Sequence, residues 1–335
     1  SIIESLESSL FYFRFGLFAL SLSFLIDHKE NFRKLFFYSL LLSFIICLLA
    51  GYYQYLFQES IFGYQNEDET RLFLPFDDRM ILGGYLSRLF PLLIALFFVS
   101  TSTNVKHYLI IGLLLILTDV LIYLSGERTA LVLLFVSTVS ILFLLSRFKI
   151  LRAVTFAISV VVIAAITFIN DDIRERNIDT TIQQIGIGSD KINAFSPQHE
   201  NMFITSWKIF KERPIIGSGP NLFRFLCGEA RFDPNPMSCS THPHNTYIQL
   251  ISETGLIGLS LFLIYAFYVS LKLVSFIYNL VFYNIRTLSD YQICLLICMF
   301  ITVFPFVPTH DFFNNWINVI YYLPLGFYIN SIYKK

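Results

Sequence analysis

The sequence predicts an all-α polytopic membrane protein with one large, partly helical loop outside the bilayer. Its 335 residues are 55% hydrophobic and only 14% charged, with a mean hydropathy of +0.63, too apolar for a water-soluble chain of this size. The apolar residues gather into runs long enough to cross about 30 Å of hydrocarbon at about 1.5 Å per residue. The polar residues gather into one long segment. Formal net charge is zero and no Lys/Arg-rich tract is present, which argues against a nucleic-acid partner.

In chain order the runs lie near 9–26, 35–57, 80–100, 107–124, 129–146 and 151–169, and after the long segment near 255–275, 291–308 and 314–331. The last is interrupted by Pro324 and Gly326, which membrane helices tolerate. About nine helices are expected, in an N-terminal bundle (1–169), a loop (170–254) and a C-terminal bundle (255–335). Basic loops mark the cytoplasmic side: Lys29, Arg33 and Lys34; Lys106; Arg147, Lys149 and Arg152; and Lys334 with Lys335. Acidic or mixed loops, such as Glu67, Asp68, Glu69, Asp77 and Asp78, alternate with them, so the loop is expected to be periplasmic. Position 1 is Ser, and the first run leads to further spans rather than to a cleavage site. The C-terminus then falls inside and Ser1 outside, so an odd number of upstream helices is expected to precede this chain.

The loop carries Trp207 with several Phe and Ile residues, and it is too long for a bare connection in a compact protein. From Glu200 to Arg213 the apolar Phe203, Ile204, Trp207 and Phe210 recur at helical spacing, ending at Pro214. That pattern predicts an amphipathic helix, either on the membrane surface or on the loop's own core. Cys47, Cys294 and Cys298 fall in apolar runs, whereas Cys227 and Cys239 fall in the loop. The loop pair is either a disulfide in an oxidising compartment or two separate thiols, since spacing along the chain does not fix Cα separation.

The stretch Ser240-Thr-His-Pro-His-Asn-Thr-Tyr247, continuing to Gly255 and Gly258, joins a His-bearing turn to a membrane helix. A short helix is predicted from Pro243 to a break at Gly255, with His244 near its N-terminus. A neutral imidazole there accepts a proton at neutral pH, and nearby backbone N–H groups favour an anion. The residues alone leave two alternatives: a zinc site built from His199, His242, His244 and the loop cysteines, whose spacing fits no familiar pattern, and a purely structural capping role for the histidines. Arg128 begins a helix after the short turn Ser125-Gly126-Glu127, where a charge needs a purpose. Its fork of donors suits a diphosphate; the alternative is an interfacial arginine that snorkels to headgroups or pairs with Glu127. Pro214-Ile-Ile-Gly217-Ser-Gly219 reads as a tight turn rather than a phosphate cradle. Arg224 after it is a second candidate cation. Arg14, Arg88 and Asp119 inside apolar runs keep a transporter as a rival reading, although no inverted repeat is evident.

These residues resemble the family of O-antigen ligases and related polysaccharide polymerases, whose hallmark is a periplasmic His-Asn, nine residues, Gly, two residues and Gly. His244, Asn245, Gly255 and Gly258 match it, as do the Pro-x-x-Gly-x-Gly turn at 214–219 and the Ser-Gly-x-Arg context of Arg128. The resemblance implies a GT-C-like fold in the bacterial inner membrane, with the site facing the periplasm. It implies a metal-independent glycosyltransferase without cofactor, taking a glycan from undecaprenyl diphosphate to lipid A core; the polymerase alternative joins lipid-linked repeats to one another. His244 then activates the acceptor hydroxyl or orients the donor, and Arg128 binds the diphosphate. Arg224, His242, Asn245, His199, Gly255 and Gly258 are the candidate substrate contacts. Many relatives carry an arginine before the loop tryptophan, where this chain reads Gln198 to Ile204. Arg224, Arg174 or Arg176 remain as substitutes for that cation.

Overall fold

The computed structural model describes the chain apart from residues 1, 60–70, 77–79, 102–103, 187–192, 194, 233–235 and 334–335. The acidic Glu67, Asp68, Glu69, Asp77 and Asp78 and the terminal Lys334 and Lys335 therefore lie outside the described residues. Among the described residues the regular structure is entirely helical. In order, the helices are α1 (Ile2–Ser9), α2 (Phe13–His28), α3 (Phe32–Phe57), α4 (Leu82–Ser100), α5 (Val105–Leu124), α6 (Arg128–Leu144), α7 (Lys149–Ile169), α8 (Asp171–Arg174), α9 (Thr180–Ile185), α10 (Pro197–Glu212), α11 (Phe223–Leu226), α12 (Thr246–Tyr283), α13 (Asp290–Thr302) and α14 (Asn315–Tyr333). A π-helical turn, Glu175–Asp179, links α8 to α9.

A helix occupies each apolar run, and 6 are long and apolar enough to cross a membrane: Ser5–His28, α3, α4, α5, α7 and α12. At 17 and 13 residues, α6 and α13 fall short of the roughly 20 residues a full span needs. The 19-residue α14 contains Pro324 and a polar, Tyr-rich sequence. Among the described residues, helices thus stand at all nine expected positions, and six candidate spans have the length and apolarity of a crossing helix.

The chain divides into two compact units, one comprising Ser1–Leu22, Thr181–Lys272 and Val303–Gly326, the other Ser23–Thr180, Leu273–Thr302 and Phe327–Lys335. In the second, the bundle unit, α4 is apolar all round and is buried from Leu82 to Phe97 except at Tyr85. Arg152, expected in a basic loop, instead lies inside α7 and is fully buried. It forks onto Asp119 of α5, with Nη1 to Oδ2 at 2.6 Å and Nη2 to Oδ1 at 3.0 Å. The Ser159 hydroxyl adds a bond to Asp119 at 2.9 Å, and the guanidinium lies over the Phe90 ring at 4.7 Å. Two charges survive in an apolar bundle here because every guanidinium nitrogen and carboxylate oxygen meets a partner. Asp119, a reason to consider transport, is one half of this ion pair.

In the first, the loop unit, α10 turns Met202, Thr205, Ser206 and Ile209 inward. Met202 and Ile209 pack with Phe223, Cys227 and Phe232 into a small core. A disulfide joins Cys227 to Cys239, with Cα atoms 5.0 Å apart, and closes the loop over that core. The predicted helix ahead of Gly255 is present, but it starts at Thr246, after His244, and runs through Gly255 with a kink (φ 62°, ψ −161°).

At that kink the missing ladder bonds are replaced from another segment. Leu256 N donates to Pro214 O (2.9 Å) and Ile257 N to Ile215 O (3.2 Å), while Ser252 O and Glu253 O accept from Ser218 N (3.0 Å) and Gly219 N (2.8 Å). The Pro214–Gly219 turn is therefore docked backbone to backbone on the start of the membrane helix. Both glycines at the contact are required: a Cβ on Gly217 would lie 2.3 Å from Glu253 C, and one on Gly255 2.5 Å from Ile215 C.

Two outcomes follow. Asp119→Ala leaves Arg152 buried and unpaired and should cost about 3–5 kcal/mol; thermal melting in detergent unchanged from wild type would contradict this. Gly255→Ala should cost about 3 kcal/mol through its positive φ and the lost docking, and should accelerate amide exchange at Ser218, Gly219, Leu256 and Ile257; unchanged exchange there would count against the pairing.

Candidate functional site

The loop unit gathers three imidazoles. His242 and His244 have ring centroids 4.1 Å apart, and His199 lies 5.4 Å from His244. Each is placed by a helix start or by the segment that follows α13. Asn245 caps α12, its Oδ1 accepting from Tyr247 N (3.0 Å) and Ile248 N (3.2 Å), a contact worth about 1 kcal/mol. That cap fixes His244 immediately before the helix. Ser196 caps α10 ahead of Pro197, and its hydroxyl meets His199 Nδ1 at 2.8 Å.

His244 has φ of 54°, a left-handed conformation that costs a non-glycine residue energy and must be held from outside. Thr309 holds it. Thr309 N donates to His244 O at 2.8 Å, Thr309 O lies 3.1 Å from His242 Nε2, and the Thr246 hydroxyl donates to that of Thr309 at 2.9 Å. The carbonyl partner makes Nε2 of His242 the protonated nitrogen, leaving Nδ1 to accept from the Thr241 hydroxyl at 3.0 Å. Burial is the main cause that lowers the proton affinity of His244, and repulsion from His242 and then His199 adds to it, bringing its pKa to about 3. His242 is also lowered, by burial first, with Asp311 and the Thr309 carbonyl opposing. Both rings are therefore neutral at neutral pH. Nε2 of His244 lies 3.3 Å from the Ser240 hydroxyl.

Behind the histidines lies a polar network that sequence reasoning missed. Gln249 Nε2 bridges Glu253 Oε2 (3.0 Å) and Asp311 Oδ1 (2.7 Å), and Gln249 Oε1 accepts from Phe312 N at 2.9 Å. Fully buried Glu253 also accepts from Phe223 N at 2.8 Å. Arg224, a candidate second cation, donates to Asp311 Oδ2 at 3.0 Å and to Asn221 Oδ1 at 3.2 Å. Its charge is balanced by that carboxylate. A signal for Thr309 and Asp311 was present in the run Pro308-Thr-His-Asp311, a polar break between two apolar stretches.

Gly255 and Gly258, candidate substrate contacts, have an observed role in packing. Gly255 admits the docked turn, and a Cβ on Gly258 would lie 2.0 Å from Thr254 Oγ1. Cys227 and Cys239 are joined to each other, which removes both thiolates from the zinc alternative. Among the described residues no group of His, Cys, Asp and Glu has a metal-holding arrangement.

The bundle unit holds Arg128 at the first position of α6. Glu127 before it caps α4, its two oxygens accepting from Gly83 N (2.6 Å) and Gly84 N (2.8 Å). Gly126 has φ of 70°, and a Cβ there would lie 2.4 Å from Arg176 Nε, so the glycine lets Arg176 approach the turn closely. Arg176 sits on the π-helical turn, a feature common at functional sites. Arg71 is within electrostatic range of Glu127 and Arg128, and buried Arg88 is within range of Glu127. The guanidiniums of Arg71 and Arg88 thus both act on the Glu127 carboxylate. Arg174 is instead taken by Asp171 at 2.9 Å and Asp179 at 3.7 Å.

Residues 111–263 match the family described as O-antigen ligase, a span that contains Arg128, Arg176, the docked turn and the whole His244 to Gly258 motif. No curated protein matches the chain. The family implies a glycosyltransferase-like enzyme of the ligase kind, acting on lipid-linked glycan and lipid A core substrates in general. On that match, the family supported for this multi-pass membrane protein is the O-antigen ligase family.

Proposed function

We propose that the chain transfers a glycan from undecaprenyl diphosphate to the lipid A core or a related acceptor, at the periplasmic face of the inner membrane. The observation that carries this reading is His244: a neutral imidazole, held in a strained turn by Thr309 and by the Asn245 cap, inside the segment matching the ligase family. Strain held in place by surrounding contacts is a mark of functional sites.

In the reaction the acceptor hydroxyl attacks the anomeric carbon of the donor. A bond forms between that oxygen and the carbon, the bond from the carbon to the phosphate oxygen breaks, and the diphosphate leaves with the electron pair. His244 takes the hydroxyl proton. Arg128 and Arg176 stabilise the charge developing on the leaving group, with Arg128 as the main clamp and Arg176 as the second cation. A low proton affinity fits the role, because an arriving diphosphate raises it when the base is needed. Burial sets that affinity first, His242 and then His199 lower it further, and Arg224 acts through Asp311. Nine membrane crossings in a GT-C-like arrangement would use α6, α13 and α14 as the remaining spans.

The test uses purified protein in liposomes with defined lipid-linked donor and lipid A core. His244→Ala should abolish transfer while leaving membrane insertion intact, and activity retained in that variant would sink the proposal. Arg128→Ala and Arg176→Ala should each lower kcat by about 100-fold, with Arg128→Lys recovering part of the loss. One glycan per core marks ligation, whereas a ladder of lengthening lipid-linked product marks polymerisation.

A pH profile checks the base. A folded-state pKa of about 3, below the ordinary value for histidine, keeps His244 neutral well below pH 6.5. The profile of kcat/KM, which reports the free enzyme, should therefore lack an acid limb near pH 6.5. By the same sign, the unfolded chain binds more protons than the folded one between about pH 3 and pH 6.5, so stability falls as pH is lowered through that window. Replacing His244 by Gln should flatten this dependence, and an unchanged slope of melting temperature against pH would count against it.

A further inference from the structure

Helix α10 has two apolar faces, and the loop's own core covers one of them. The covered face is Met202, Thr205, Ser206 and Ile209. The face picked out by helical periodicity points away, with Ile204 53% and Trp207 49% exposed. Immediately after the helix come Ile215 and Ile216, 64% and 67% exposed. These are not stray surface residues. Backbone bonds tie Pro214 and Ile215 to Leu256 and Ile257 of the apolar helix α12, and these two side chains are themselves 52% and 54% exposed.

We propose that the last turns of α10 and the Ile215–Ile216 turn lie in the headgroup region of the bilayer, with Trp207 as the anchor. The argument for lipid as the occupant is continuity. Ile215 is hydrogen-bonded at the level of Ile257, so an exposed apolar surface on α12 that requires lipid extends directly onto the turn. Trp207 is the residue type that prefers this interface, with an apolar ring body and one N–H. Lys211 has its ammonium 6.0 Å from the Trp207 ring, and Lys208 and Arg213 lie beside it in sequence, giving the cationic border that phospholipid phosphates complement. The first turn of the same helix carries His199, eight residues or about 12 Å before Trp207, so lipid docking at one end fixes the imidazole next to His244 at the other. The proposal depends on the chain spanning a membrane and is independent of glycosyl transfer.

The chain has 2 tryptophans, so Trp316→Phe leaves Trp207 as the sole emitter. The full chain is placed in nanodiscs containing anionic phospholipid and phosphatidylcholine brominated either near the glycerol or near the chain end. Shallow bromines should roughly halve Trp207 emission and quench it more than deep ones, with aqueous iodide having little effect. Quenching by iodide alone, or stronger quenching by the deep bromines, would overturn the proposal. Should Trp316→Phe fail to fold, subtracting the emission of Trp207→Phe from that of the unaltered chain gives the same reading. The readout contains no catalytic step, so it stands or falls separately from the proposed reaction.

Discussion

At Gly255 the membrane helix α12 gives up two of its own ladder bonds and takes four bonds from the Pro214–Gly219 turn. Buried backbone groups must be paired, so a kink in a membrane helix is stable only when another segment supplies the partners. That requirement fixes the turn, and through the turn the C-terminal end of α10 and the start of α11. It also explains why glycines occur on both sides of the contact, since either backbone would be held off by a Cβ. The loop is consequently registered to the membrane helix, and the histidine turn eleven residues before the kink inherits that register through the Asn245 cap.

The histidine site is built around neutrality. Three imidazoles pack together only when most of their charge is absent, because each protonated ring would raise the cost of the next. Burial and mutual repulsion keep His244 neutral, and Thr309 and Thr241 fix the tautomer of His242. Asp311 stands on the other side of the balance, favouring the charged form of His242 while being held by Gln249 and Arg224. The strained backbone of His244 is maintained by Thr309 N, a contact that a relaxed turn would not make.

The bundle unit uses arginine in two ways. Arg152 is fully satisfied by Asp119 and Thr138, with Phe90 stacked beneath it, so its charge is consumed within the protein. Around Glu127 the arginines stand beside a carboxylate that is itself the cap of α4, with Arg71 and Arg88 both acting on it.

Much of this was legible in the residues. Apolar runs located the helices, polar composition located the loop, and the His244 to Gly258 motif and the Gly126–Arg128 turn marked two segments that the structure shows bound into polar networks. These are local properties, because hydropathy, helical period and turn preference act over a few neighbouring residues. Helix length was less secure: α13 stops at Thr302, and in the Pro-bearing segment after it the carbonyls of Val303 and Pro305 accept from Tyr247 and Asn245. Partnership was decided only by the tertiary structure. Thr309 and Asp311, more than sixty residues beyond His244, support the histidines; Arg152 leaves its expected loop for Asp119; Cys227 finds Cys239; and α10 buries the stripe that periodicity had not chosen. Each of these depends on which distant group arrives within about 3 Å of a donor or ring, and that distance is set by how the helices pack rather than by spacing along the chain.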